Sequence, residues 1–177
     1  FGIVSRHGSF RGAWSQEHVG LFARSVKEIP IGLDPVAGYD PRDPGSVRQD
    51  KPAYTANLEA KVKGLRVGVL RRFLASVDPA VREAFEAALK VLASAGCEIV
   101  ELDVPELRYA AMTSMMTSSA ESAGINRRWF YERHQDYVPH VARGIAVGMT
   151  ITASEYLTVQ RARQRIREAV RAAYENV

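Results

Sequence analysis

The residues best suited to chemistry lie between positions 112 and 122. There Thr113, Ser114, Thr117, Ser118, Ser119, Glu121 and Ser122 alternate with Met112, Met115 and Met116. On a helix, positions 115, 118, 119 and 122 share one side. Met115, Ser118, Ser119 and Ser122 can therefore face a cleft together, while Met116 and Glu121 fall off that side. Such a face offers hydrogen bonds and soft apolar contact to a small ligand. Composition by itself favours plainer helix packing, with methionine filling gaps and small hydroxyls letting helices approach closely.

A reaction centre is harder to find. The chain has no Gly-x-Gly-x-x-Gly, no phosphate loop, no His-Glu-x-x-His and no Gly-x-Ser-x-Gly. No serine is followed three residues later by lysine. His7, His18, His134 and His140 are scattered without ligand spacing, and Cys97 stands alone, so neither a disulfide nor a cysteine-based zinc site is expected. No cofactor is called for. Gly8-Ser-Phe-Arg-Gly12 looks like a nucleophile loop, but no base can be assigned to it, and turn chemistry accounts for its residues.

Charge narrows the partners. Net charge is +4, and arginine outnumbers lysine 19 to 5, with the excess late in the chain, at Arg161, Arg163, Arg165, Arg167 and Arg171 among others. A basic helix can follow a phosphate backbone, yet a solvated face explains the run as well. The expectation is no nucleic acid and no membrane partner. No apolar run approaches the ~20 residues of a membrane helix. One cysteine in a chain with 46% hydrophobic residues fits a reducing cytoplasm. Phe1 stands where translation would place Met, so the residues are read as an internal piece of a longer protein.

The elements that must position these groups are legible in part. Residues 1–24 read as loops. Ser25-Val-Lys-Glu28 has capping-box spacing and should start a short helix ending near Gly38, weakened by Pro30 and Pro35. Five of the eight prolines fall between Pro30 and Pro52, and 38–60 reads as a surface crossing. Leu65 to Leu70 and Ile99 to Val104 read as strands. Between them, Asp78-Pro79 opens a helix that Gly96 follows, which makes a parallel, right-handed βαβ unit. Three helices should follow, over about 106–131, from Asp136, and from the Thr152-Ala-Ser-Glu155 capping box. The last carries Val159, Ala162, Ile166, Val170 and Ala173 on one stripe.

Several segments, in order, resemble the amidase-signature family. Phe1-Gly-Ile-Val-Ser-Arg-His-Gly8 is similar to the strand and turn after the family's nucleophile region. Trp14 to Gly20 and Ala23 to Val26 resemble "SLDHVGPMARTV", Val36 to Asp43 resembles "IAGYDPRD", and Lys63 to Val69 resembles "KGLRIGV". The resemblance spans essentially the whole chain. It departs from the family at Gly20-Leu21, where Gly-Pro is usual, at Lys27-Glu28, where an acidic pair is usual, and at Pro30 and Pro35.

What the resemblance implies is an α/β fold: part of a mixed β-sheet with covering helices, one parallel βαβ unit and a helical C-terminal half. Residues 1–177 would be the middle of a single domain, divided into 1–60, 61–104 and 105–177. The family's lysine, bridging serine, nucleophilic serine and oxyanion loop would lie upstream. The parent would hydrolyse a small-molecule amide through an acyl-enzyme, with a homodimer left open, and these residues alone would be inactive. Met115, Ser118, Ser119 and Ser122 would be substrate-binding, since the resemblance places this helix near the acyl cleft. Two alternatives stand: a piece like the amidase-type subunit of glutamyl-tRNA amidotransferase, and a non-catalytic anion- or nucleic-acid-binding helical module.

Overall fold

A computed structural model describes residues 1–177 apart from 11, 51, 57, 59, 60 and 176. The chain forms two compact units. One comprises Phe1–Ala60 with Met116–Thr152, and the other Lys61–Met115 with Ala153–Val177.

The second unit contains the βαβ motif. β1 (Arg66–Val69) and β2 (Glu98–Glu101) pair in parallel, with Val67 opposite Ile99 and Gly68 opposite Val100. Both are shorter than expected: the chain leaves β2 after Glu101 and enters a 3-10 turn at Pro105–Tyr109. Between the strands runs α2 (Pro79–Ser94), for the reason its sequence suggests. The Asp78 carboxylate accepts the Ala80 amide at 2.8 Å, and Pro79 takes a first-turn position where no N–H is missed. Gly96, with φ +93, turns the chain back toward β2, and a side chain there would collide with Lys63. Arg71 links the layers, donating to Glu101 and Glu86 at 2.5 Å each. Leu89 is buried on α2 and Phe85 and Leu92 are half-buried, whereas Val81 and Ala88 are exposed. On α5 (Ala153–Tyr174), which begins directly after Thr152, the predicted stripe is the less exposed face, with Val159 buried.

The first unit is held by loops and helix crossings. α1 (Glu28–Val36) is short, as Pro30 and Pro35 predict, but the Ser25 capping box does not form. Lys27 is the cap residue and is already helical, and its ammonium has no acceptor to offer the first-turn amides; Glu28 accepts the Arg24 amide at 3.0 Å. An antiparallel bridge joins Val4 to Ala37. α3 (Ala110–Arg133) starts in the second unit and ends in the first. The next helix, α4 (Pro139–Thr150), starts at Pro139 rather than Asp136, because His134–Asp136 closes as a 3-10 turn and proline suits the first helical position.

α3 and α4 cross closely at Gly148. A methyl group there would strike the Ser119 carbonyl and sit 2.8 Å from the Ala123 Cβ. Backbone cannot yield as a side-chain tip can, so Gly148→Ala is expected to destabilise the chain by about 1–3 kcal/mol in a denaturant titration. Gly144→Ala, which meets nothing within 4 Å, should be stabilising by a few tenths of a kcal/mol (about 0.4–1 at most).

Candidate functional site

Of the four residues expected to face a cleft, Met115 is 54% exposed, Ser118 and Ser122 are half-buried, and Ser119 is buried at the Gly148 crossing. Ser119 thus occupies a packing position. Ser122 accepts from Asn126 Nδ2, through its carbonyl at 3.0 Å and its hydroxyl at 3.4 Å, and the Tyr137 hydroxyl donates to Asn126 Oδ1 at 3.1 Å. The hydroxyl face therefore continues into a polar chain that ends on an aromatic side chain.

The opposite arrangement holds on the rest of α3. Thr113, Thr117, Glu121, Ala123 and Asn126 are buried, while Met112 and Met115 are exposed. Glu121, expected to lie off the cleft side, fixes a loop. Its carboxylate accepts the Ser15 amide at 2.9 Å and the Ser15 hydroxyl at 2.5 Å. Charge-assisted bonds of this kind are stronger than neutral ones. The same loop is tied to itself by Glu17, which accepts the Gly12 and Ala13 amides.

Behind the loop stands a buried ion pair. Arg6 donates to Asp43 from its amide at 2.9 Å, from Nε at 3.2 Å and from Nη2 at 3.2 Å, and Asp43 also takes the Gly45 amide at 2.9 Å. Arg6 Nη1 donates to the Trp14 carbonyl, one residue before Ser15, and the guanidinium lies 4.4 Å from the Phe1 ring centroid. Side-chain exposure is 3% for Arg6 and 0% for Asp43. The Arg6 side chain, with the Arg6 and Gly45 amides, holds the Asp43 carboxyl well below the usual carboxylate range. The neighbouring Asp40 is lowered by the Arg42 side chain, then by the Ser5 hydroxyl. Among its described residues, the segment 38–60, expected to be a surface crossing, is turn-rich as its prolines and glycines predict but rooted at Asp43 in the interior. Asp43–Arg6–Trp14 and Ser15–Glu121 form one relay from that root to α3.

Sequence spacing could not have found this relay, because Arg6 and Asp43 lie 37 positions apart and Ser15 and Glu121 lie 106 apart. The chain turns at His7 and Gly8, and the Ser9 hydroxyl donates to the Arg6 carbonyl at 2.7 Å, in keeping with the composition of this stretch; Arg11 lies outside the described residues. In the second unit a cavity of about 450 Å³ is lined by Arg66, residues 100–106, Ala169, Ala172 and Ala173, a lining without hydroxyl or thiol. Among the described residues no three His, Cys, Asp or Glu side chains gather as a metal site, and no helix is long and apolar enough to cross a membrane.

A family model for amidases matches residues 1–177, and the chain belongs to that family, the amidase-signature enzymes. It is 33% identical to an amidase of Pseudomonas putida over 166 residues, which cover 93% of this chain and 36% of the relative. It is 39% identical to a glutamyl-tRNA(Gln) amidotransferase subunit from Caldanaerobacter subterraneus subsp. tengcongensis over 124 residues, 70% of this chain and 25% of the relative. A solved structure from work on "an unexpected vestigial protein complex" and the origins of an s-triazine catabolic enzyme superposes with a TM-score of 0.90. It is 27% identical, over 99% of this chain and 38% of the other. The corresponding glutamyl-tRNA(Gln) amidotransferase subunit of Thermotoga maritima superposes at 0.78, with 22% identity over 97% of this chain and 38% of that one, a likeness of fold. The chain spans from 25% to 42% of the length of such curated relatives.

Proposed function

We propose that the protein containing these residues hydrolyses a carboxamide C–N bond, and that residues 1–177 are the middle portion of its single amidase-signature domain. The observation that carries this reading is the family match over the whole chain, together with the amidase relative that aligns over 93% of it. In the proposed reaction a serine, activated by a lysine through a bridging serine, attacks the carbonyl, releases the amine and leaves an acyl-enzyme that water cleaves. The family resemblance implies that this lysine and these two serines lie upstream of the segment matching Phe1, so the set is assigned outside the chain. Its contribution is the pocket wall: α3 presents Met115, Ser118 and Ser122, with Ser119 taken up by the crossing with α4, and the Ser15–Glu121 bonds hold a loop against that helix.

Ser118 is the position to test, since Ser119 is committed to the crossing with α4. In the longer protein, Ser118→Trp is expected to change the ratio of kcat/KM between acetamide and a bulkier amide by about ten-fold or more, as a lost pocket volume does. A shift in Tm with that ratio unchanged would remove α3 from the pocket.

A second reading, supply of ammonia from glutamine to a charged tRNA, is favoured by the 39% identity to a glutamyl-tRNA(Gln) amidotransferase component. Against it, Gly124 to Arg133 and Asp136 to His140 carry none of the Tyr-Asp-Gly and Gly-Phe-Gly sequence of such proteins. Hydrolysis of simple amides by the longer protein without any partner chain would favour the first reading.

A further inference from the structure

The turn over residues 12–17 spends its backbone polar groups on fixed partners. The Glu17 carboxylate accepts the Gly12 and Ala13 amides, the second at 2.8 Å. The Ala13 carbonyl accepts the Gln16 amide at 2.9 Å and the Glu17 amide at 3.1 Å, and His18 Nδ1 meets the Gln16 carbonyl at 2.7 Å. Hydrogen bonding this dense leaves a loop little freedom of its own, so the turn moves as one piece.

Two buried, charged side chains hold that piece from outside, and they grip a single peptide unit. Arg6 Nη1 donates to the Trp14 carbonyl, and the Glu121 carboxylate accepts the Ser15 amide of the same peptide at 2.9 Å. The other Glu121 oxygen accepts the Ser15 hydroxyl at 2.5 Å. Arg6 is 3% and Glu121 7% exposed, so these charge-assisted bonds are shielded from water. Trp14, at the centre of the clamp, is 50% exposed: a large aromatic side chain kept at the surface on a backbone gripped at both edges.

Glu121 is the α3 end of this clamp. It lies one turn beyond Ser118 and next to Ser122, off the side those two serines share, so the turn stands along the edge of that side. We infer that Glu121 is a positioning residue. It holds the Trp14–Ser15 peptide at a set distance from α3, and so sets the spacing between this turn and the Ser118–Ser122 side, which decides how bulky an amide is accepted. It acts through Ser15 and touches no substrate. The inference rests on the proposed amide hydrolysis for its functional readout, and on the geometry above for the clamp itself.

The test uses the longer protein with Glu121→Ala, Glu121→Gln and Ser15→Ala. Glutamine keeps an oxygen for the Ser15 amide and offers its own N–H to the Ser15 hydroxyl, so it preserves both contacts. The ratio of kcat/KM between acetamide and benzamide should move toward one by about five-fold or more in Glu121→Ala, and stay within about two-fold of the unaltered protein in Glu121→Gln. The change should fall in KM, with kcat for acetamide held within about two-fold, because the serine–serine–lysine set is untouched. A residue that only supports the fold would lower Tm and scale both amides alike. If Glu121→Ala does not fold, Ser15→Ala, which removes one of the two bonds, should shift the ratio about two-fold in the same direction. A ratio unchanged in the variant that folds, or changed equally by alanine and glutamine at position 121, overturns the inference. Hydrogen exchange at the Ser15 amide needs no turnover. It should be slow in the unaltered protein and at least about ten-fold faster once Glu121 is alanine. A Ser15 amide that exchanges as a free one does overturns the inference whatever the kinetics. No hydrolysis by the unaltered protein sinks the amide-hydrolase reading while a protected amide keeps the clamp; hydrolysis with an unchanged ratio does the reverse.

Discussion

Arg6→Met is expected to lower the Tm of the chain by on the order of 10 °C, more than any other single substitution outside the α3–α4 crossing. Methionine keeps the length and apolar contact of the arginine stem but removes the guanidinium that Asp43 faces. Asp43 is fully buried, so its carboxylate would retain the Arg6 and Gly45 amides but lose its cationic partner. A buried charge without its partner costs far more than the pair contributes when intact. The double change Arg6→Met with Asp43→Asn removes both charges and keeps one side-chain oxygen to accept a backbone amide, so it should recover part of the loss. Equal falls for the single and double variants would show that the charge is not the cause.

The pair also sets a pH dependence. Asp43 and Asp40 both titrate below their ordinary value of 3.8 in the folded chain. The unfolded chain therefore binds their protons first. The stabilisation is present above about pH 4 and drains away as the pH falls through the folded values. Melting temperature should be insensitive to these groups between about pH 5 and pH 8, and should fall steeply below about pH 4. Asp43→Asn should melt lower at neutral pH and show a shallower acid slope. A slope identical to the wild type would remove Asp43 from the relay.

How much of this is legible in the sequence depends on whether the cause is local. The βαβ unit is, because Asp78, Pro79 and Gly96 act within a few residues of themselves. The Ser25 box misleads because spacing alone does not fix the dihedral angles of the cap; the chain is already helical at Lys27, where Glu28 can reach Arg24 instead. On α3 the usual rule is inverted. Thr117 and Glu121 are buried while Met112 and Met115 are exposed, so hydrophobic periodicity points to the wrong face. Small hydroxyls allow the backbone of α4 to approach at Gly148, and the Glu121 charge is met by donors from a loop far away in sequence. Among the described residues no buried side-chain nitrogen or oxygen lacks a partner, which is what permits so polar an interior. The family resemblance reaches further than any of these local signals, because an ordered set of short segments is a long-range observation.

The second large effect concerns catalysis itself. If residues 1–177 supply a pocket wall and no serine–serine–lysine set, they should give no turnover, while the longer protein should pass through an acyl-enzyme. Hydroxylamine separates the two cases. It competes with water for an acyl-enzyme and yields a hydroxamate that is measured by its iron complex. The measurement is hydroxamate and free acid formed from acetamide and benzamide, with each protein at equal concentration. The account predicts both products from the longer protein and neither, above the rate without protein, from the 177-residue chain. Hydroxamate formed by the 177-residue chain, and abolished by replacing one of its own serines, would contradict it.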